Sequence, residues 1–213
     1  MNPLWAIVPA RNAEEAVRIA AACSGRCGVV ITPALLAGPG PAVVAALSAV
    51  TPVIVLAGLH GDPEDAAVAA RRLVDYGASW VTVQAVDGIA VMRAVVDAVG
   101  GGRTMAVTLR PGLDDAAVAA SRLGESRGRV VSRLAAAAGS AGVGAMICTI
   151  SDLGVVHQVA SGVERVAWGA GTPAEAADAT ARGAAGVILD AAVLAGRDPA
   201  EALAAFEGAS GRG

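Results

Sequence analysis

Short apolar runs alternate with stretches of helical spacing from one end of the chain to the other. The runs at 4–9 (LWAIVP), 28–32 (GVVIT), 53–56 (VIVL), 80–85 (WVTVQA), 104–109 (TMAVTL), 145–149 (AMICT), 165–168 (RVAW) and 186–189 (GVIL) read as strands. Their apolar residues are mostly consecutive, as in strands covered on both faces. The helices between them are marked at their starts. Asn12 caps one, with Glu15 at capping-box spacing. Asp62-Pro63-Glu64-Asp65 sets an acid at the cap, proline in the first turn and more acids behind it. That helix runs over 64–76 and is closed by Gly77. Thr172-Pro173-Ala174-Glu175 and Asp198-Pro199-Ala200-Glu201 repeat the signal. Asp114 opens another helical stretch, and Ser151 or Asp152 caps a helix over 153–159. Helical spacing also covers 42–48, 89–99 and 130–138.

Eight strand–helix units in 213 residues predict an α/β fold, a single-domain (β/α)8 TIM barrel over 1–213. A doubly wound open sheet is the alternative, but usually has fewer units. The chain shows no linker. Residues 27–59 carry no charge and match a membrane span in length, but Pro33, the Gly38-Pro39-Gly40-Pro41 turn and Pro52 cut them into strand, helix and strand. No membrane partner is therefore expected. Gly100-Gly101-Gly102 lacks the strand-then-helix setting of a nucleotide loop. The Gly- and Arg-rich tail, 208–213, is expected to fray.

With 55% hydrophobic and 16% charged residues, the chain has ample material for a large core. A formal net charge of -3 argues against a nucleic-acid partner. All 16 basic residues are arginine. Without lysine no Schiff base and no lysine acid or base can form. Cys23, Cys27 and Cys148 are an odd set and make no disulfide framework, which fits a reducing cytoplasm. No signal peptide is visible. No spacing demands a metal, although His60, Asp62 and Asp190 can be assembled into a set, and nothing calls for a cofactor.

In such a barrel, chemistry sits at the carboxyl ends of the strands. That face is expected to collect Arg11, Thr32, His60, Asp62, Gln84, Asp87, Arg110, Thr149, Trp168 and Asp190. His60 reads as a general acid or base near neutral pH, or as a histidine packed in a turn. Asp62 is a partner acid or simply the helix cap. Asp190, directly after a buried strand, pairs with an arginine or faces a polar substrate. Arg110, before Pro111-Gly112, suits bidentate binding of a carboxylate, or lies on the surface. Arg11, Thr32 and Gln84 are pocket hydrogen-bonders or satisfied strand-end residues, and Trp168 is a pocket wall or core filler. His157, inside a helix, reads as structural.

The segments resemble the orotidine 5′-monophosphate decarboxylase superfamily over nearly the whole chain. PLWAIVPARNAEEAVRIA resembles its opening strand and helix, LLAGPGPAVVAAL its second helix, and IVLAGLHGDPEDAA the stretch with its Asp-x-Lys-x-x-Asp signature. YGASWVTVQAVDG resembles its fourth strand, and GTPAEAADATARGAAGVIL the approach to its last. On that resemblance the catalytic lysine falls on Gly58, and the signature acids fall on Leu56 and Gly61. The strand-one Asp falls on Pro9, the strand-two Lys on Val30, and the phosphate-gripping Gly-Arg on Asp190-Ala191. A shift by one recovers Asp62, but no lysine. The resemblance implies a protonating lysine beside paired carboxylates, so its loss predicts no orotidylate decarboxylation.

Two readings remain. One is a diverged, decarboxylase-like enzyme of lyase or isomerase type acting on a small unphosphorylated substrate in specialised metabolism, with catalytic His60, Asp62 and Asp190. Arg11, Thr32, Gln84, Arg110 and Trp168 would bind that substrate. The other is a non-catalytic barrel that binds a ligand or supports a partner. The resemblance also implies a homodimer through the strand-end face.

Overall fold

The computed structural model describes residues 3–121 and 126–206. Within them the parallel strands β1 (Leu4–Ile7), β2 (Gly28–Ile31), β3 (Val53–Leu59), β4 (Trp80–Gln84), β5 (Thr104–Val107), β6 (Ala145–Thr149), β7 (Glu164–Ala170) and β8 (Gly186–Leu189) pair in chain order, and β8 closes on β1. Helix α1 (Ala13–Cys23) follows β1, and the short α2 (Pro33–Ala37) and α3 (Ala42–Ser48) follow β2. Next come α4 (Pro63–Asp75) after β3 and α5 (Ile89–Val99) after β4. Helices α6 (Asp115–Ala120) and α7 (Arg127–Ala141) follow β5. Finally α8 (Leu153–Val159), α9 (Pro173–Ala181) and α10 (Pro199–Ala204) follow β6, β7 and β8. This is the (β/α)8 barrel that the alternation predicts. The expectation for the tail at 208–213 lies outside the described residues.

The caps explain why the helices start where they do. Asn12, Asp62, Asp114, Thr172 and Asp198 each accept a first-turn N–H, satisfying donors the helix itself cannot. Thr172 and Glu175 form the full reciprocal box. Glu15 instead reaches one residue further back, to the N–H of Arg11. Ser151 and Asp152 lie in a 3-10 turn, Ile150–Asp152, and give α8 no side-chain cap, because the Asp152 carboxylate is turned to Arg127.

The apolar side chains form two shells. Trp5, Ile54, Met105, Ile147, Val166 and Ile188 fill the barrel interior, while a larger cluster lies between sheet and helices. Burial on both faces is why the strands are apolar at consecutive positions. Gly28 makes room for the largest interior residue: a Cβ there would stand 2.3 Å from the Trp5 ring. Cys23, Cys27 and Cys148 are buried thiols that form no disulfide. A hydrogen bond with Cys27 holds the Cys23 thiol below its ordinary value, against the effect of burial. No helix among the described residues is long and apolar enough to cross a membrane.

Several elements differ from the sequence expectation. α2 is a separate turn of helix, too short to show periodicity, started by Thr32 and Pro33. α7 extends beyond 130–138 at both ends and is closed by Gly142 in the left-handed conformation. β3 and β7 both run past their apolar cores, and both do so through a glycine irregularity at the end that carries the site.

Candidate active site

The site begins with the irregularity in β3. Val55 pairs with Val81, yet Leu59 pairs with Val83, so β3 carries two extra residues across this span. Gly58 permits the detour, with φ at +57°, a conformation costly to residues that bear a Cβ. Its N–H donates to Thr82 Oγ1 at 3.1 Å, so the backbone amide freed from the ladder is satisfied. A Cβ on Gly58 would stand 3.0 Å from Gln84 Nε2, so the bare backbone lets Gln84 lie against β3. β7 carries a second irregularity between Trp168 and Ala170, where Gly169 has φ at +103°. A Cβ there would approach the Pro111 ring at 3.6 Å, which shows how closely the loop after β5 crosses to β7.

Together these features shape a cavity of about 480 Å³ at the carboxyl ends of the strands. Leu56, Gly58 and His60 come from β3 and its end, Thr82 and Gln84 from β4, and Trp168 from β7. Val107, Thr108, Leu109, Arg110 and Leu113 come from β5 and the loop after it. Much of this wall is apolar. Thr82 and Thr108 already use their hydroxyls, one accepting from Gly58 and the other donating to the Ile147 carbonyl at 3.2 Å. His60 and Arg110 are exposed at the mouth, and Gln84 and Trp168 are half-buried. Among the described residues lining this cavity there is no Asp or Glu.

Of the residues predicted from sequence, His60, Gln84, Arg110 and Trp168 are brought together here. The others are not. Asp62 is the cap of α4, accepting from Glu64 N at 2.8 Å and Asp65 N at 3.3 Å. Thr32 caps α2 through Leu35 N at 3.4 Å. Arg11 is exposed, with its N–H on Glu15. Asp190 starts a 3-10 turn, accepting from Ala192 N at 2.8 Å, and lines a separate cavity of about 420 Å³ with Arg197 and Glu201. Asp87 ends a 3-10 turn after β4, and His157 is exposed on α8. Short acids at strand ends have been taken up by the first turns that follow them. That satisfies the first turn, and neither Asp62 nor Asp190 lines the cavity.

An unforeseen polar cluster lies beside the cavity. The Arg127 guanidinium donates to both carboxylate oxygens of Asp152, through Nε at 3.2 Å and through Nη2, and to Thr149 Oγ1 at 3.4 Å. Nη1 donates to the Leu113 carbonyl, and Thr149 Oγ1 donates to Asp152 at 2.6 Å. The backbone N–H of Arg127 donates to Asp115 at 2.7 Å. The cluster thus ties the end of β6 to α7 and to the loop that supplies Leu113. Thr149, read as a site residue, is spent in it. The same strand-end logic that flagged Thr149 applies to Asp152, but nothing local marks Arg127 as its partner. Burial, with the Asp152 charge adding to it, pushes the Cys148 thiol up to about 12.

On the far side of the mouth, Glu175 Oε2 accepts N–H groups from Gly171 at 2.7 Å and Thr172 at 3.1 Å. With Asp190 on Ala192 N, carboxylates occupy backbone donors after both β7 and β8.

Fold and site define the class: a single-domain (β/α)8 barrel with a largely apolar cavity at the carboxyl ends of its strands. The chain belongs to the orotidine 5′-phosphate decarboxylase family. It is 30% identical over 230 residues to the orotidine 5′-phosphate decarboxylase of Paramagnetospirillum magneticum (strain ATCC 700264 / AMB-1), covering 95% of each chain. It is 36% identical over 125 residues to that of Anaeromyxobacter sp. (strain K), covering 58% of this chain and 55% of that protein. The crystal structure of orotidine 5′-phosphate decarboxylase from Lactobacillus acidophilus superposes with a TM-score of 0.84 at 19% identity, covering 99% of this chain and 100% of that one, a likeness of fold. No family model matches the chain.

Proposed function

We propose that this chain is a diverged member of its family that carries out general acid–base chemistry, of lyase or isomerase type, on a small unphosphorylated molecule in specialised metabolism. On this reading it does not decarboxylate orotidylate. His60 is the proton carrier, Gln84 and Arg110 hold the substrate, and Trp168 walls it in. Asp62 and Asp190, each tied into a cap, stand outside the cavity.

The observation that carries the reading is Gly58. The resemblance sets the family's lysine there, and the chain has no lysine to offer from anywhere else. The position is a left-handed glycine whose N–H is committed to Thr82. The unphosphorylated substrate is supported by the other side of the mouth. Barrels of this architecture often hold phosphate on donors of the loops after strands seven and eight. Here Glu175 and Asp190 fill donors of those loops with carboxylates, which repel a dianion.

The test is turnover of orotidylate by the purified protein. The expected result is none above contaminant level. Turnover that responds to substitutions at His60 or Arg110 would overturn the proposal.

The second reading, a ligand-binding or partner-supporting barrel without turnover, draws on the apolar walls of Leu56, Val107, Leu109, Leu113 and Trp168. In either case the protein is proposed to work in the cytoplasm as a homodimer through the strand-end face. Light scattering is expected to give the mass of two chains at micromolar concentration, and a single-chain mass would remove the dimer.

A further inference from the structure

We infer that the cavity between β3, β5 and β7 is a binding site for a small monocarboxylate with an apolar body, its carboxylate held by the Arg110 guanidinium. The inference deepens the proposed function and rests on its choice of cavity.

Three observations combine. First, among the described residues Arg110 makes no hydrogen bond and no ion pair, although it lines the cavity. The arginine of the neighbouring cluster, Arg127, is by contrast engaged by Asp152, Thr149 and Leu113. Second, among the described residues the cavity wall contains no carboxylate to serve Arg110 as an internal counter-ion, and His60 is the other ionisable group of that described wall. A planar guanidinium at the rim of such a space matches the two oxygens of a carboxylate with paired N–H donors. Third, beyond Arg110 the wall turns apolar through Leu56, Val107, Leu109, Leu113 and Trp168, and the cavity's volume of about 480 Å³ suits a small molecule. A ligand that fits these features is anionic at one end and apolar along its length, with Gln84 at its flank to fix orientation.

The chemistry favours a carboxylate over a phosphate ester. The Thr108 O–H and the Gly58 N–H are already donated within the protein, to the Ile147 carbonyl and to Thr82 Oγ1. One guanidinium therefore faces the anion with few helpers, which suits a single negative charge better than a dianion.

The experiment titrates the intact protein with benzoate, its neutral isostere benzamide, and phenyl phosphate, followed by calorimetry and by tryptophan fluorescence. The wild type, Arg110→Gln and Trp168→Phe are compared, with thermal melts confirming that each variant is folded. Saturable benzoate binding is expected, with benzamide weaker by about tenfold or more. Arg110→Gln should weaken benzoate by a similar factor and leave benzamide unchanged. Trp168→Phe should remove the fluorescence response. Equal binding of benzoate and benzamide, unchanged benzoate affinity in Arg110→Gln, or no saturable benzoate binding would each overturn the assignment. Tighter, Arg110-dependent binding of phenyl phosphate would overturn it in favour of a phosphate site. These measurements involve no turnover. A failure of acid–base catalysis at His60 would leave them intact, and their failure would leave the His60 reading standing.

Discussion

Arg127 and Asp152 form a largely buried ion pair that fastens the wall of the cavity to the end of β6. Their side chains are 17% and 6% exposed, and the same guanidinium holds the Leu113 carbonyl. Asp152→Ala would leave a guanidinium with little water and without the carboxylate its Nε and Nη2 donate to. Removing one partner of a buried pair typically costs about 3–5 kcal/mol. Urea unfolding of Asp152→Ala is expected to show a loss in that range, and an unchanged midpoint would mean that the pair contributes nothing net.

His60 stands at the exposed end of β3 with its side chain toward the cavity. Once a substrate is known, His60→Ala is expected to lower kcat by about 10²–10⁴-fold, the usual range for a general acid or base. His60→Gln should be comparably poor, because it keeps a hydrogen bond but cannot titrate. The melting temperature should stay near that of the wild type. Full activity in both variants would make the residue structural.

Gly58 has a conformation that disfavours any other residue, and a Cβ would press on Gln84 Nε2 at 3.0 Å. Gly58→Ala is expected to cost about 1–2 kcal/mol in stability. Gly58→Lys, which restores the side chain the resemblance places there, is expected to destabilise at least as much and to give no orotidylate turnover. Turnover in that variant would show that the remainder of a decarboxylase site persists.

Cys148 provides a pH signature. The folded thiol keeps its proton to about 12, whereas the ordinary value is 9.0. Between these values the unfolded chain binds fewer protons than the folded one, so stability falls as pH rises. The contribution is complete below pH 9 and lost through about 12, with a slope of up to about 1.4 kcal/mol per pH unit. Denaturation midpoints across this window should fall more steeply for the wild type than for Cys148→Ala. Parallel curves would refute the shift.

The barrel was legible in the sequence because its two signals are local. Consecutive apolar residues mark strands buried on both faces, and Asn12, Asp62, Thr172 and Asp198 mark helix starts wherever they are read. The family resemblance follows the same segments.

Local signals served less well at the mouth. Asp62 and Asp190 look alike as site acids and as caps, since both roles place a short carboxylate just past a strand. Only the folded chain shows their oxygens on backbone N–H groups. His60, Gln84, Arg110 and Trp168 come from four different strands or strand ends, so no spacing along the chain can bring them together. Arg127 and Asp152 are 25 residues apart and meet only when β6 and α7 are in place.

The sequence by itself determined the alternation of strands and helices, the helix starts and the absence of lysine chemistry, because each depends on neighbours in the chain or on composition. Tertiary structure alone decided which polar groups face the cavity and which are already satisfied. That choice depends on the strand irregularities at Gly58 and Gly169 and on contacts between residues far apart in sequence.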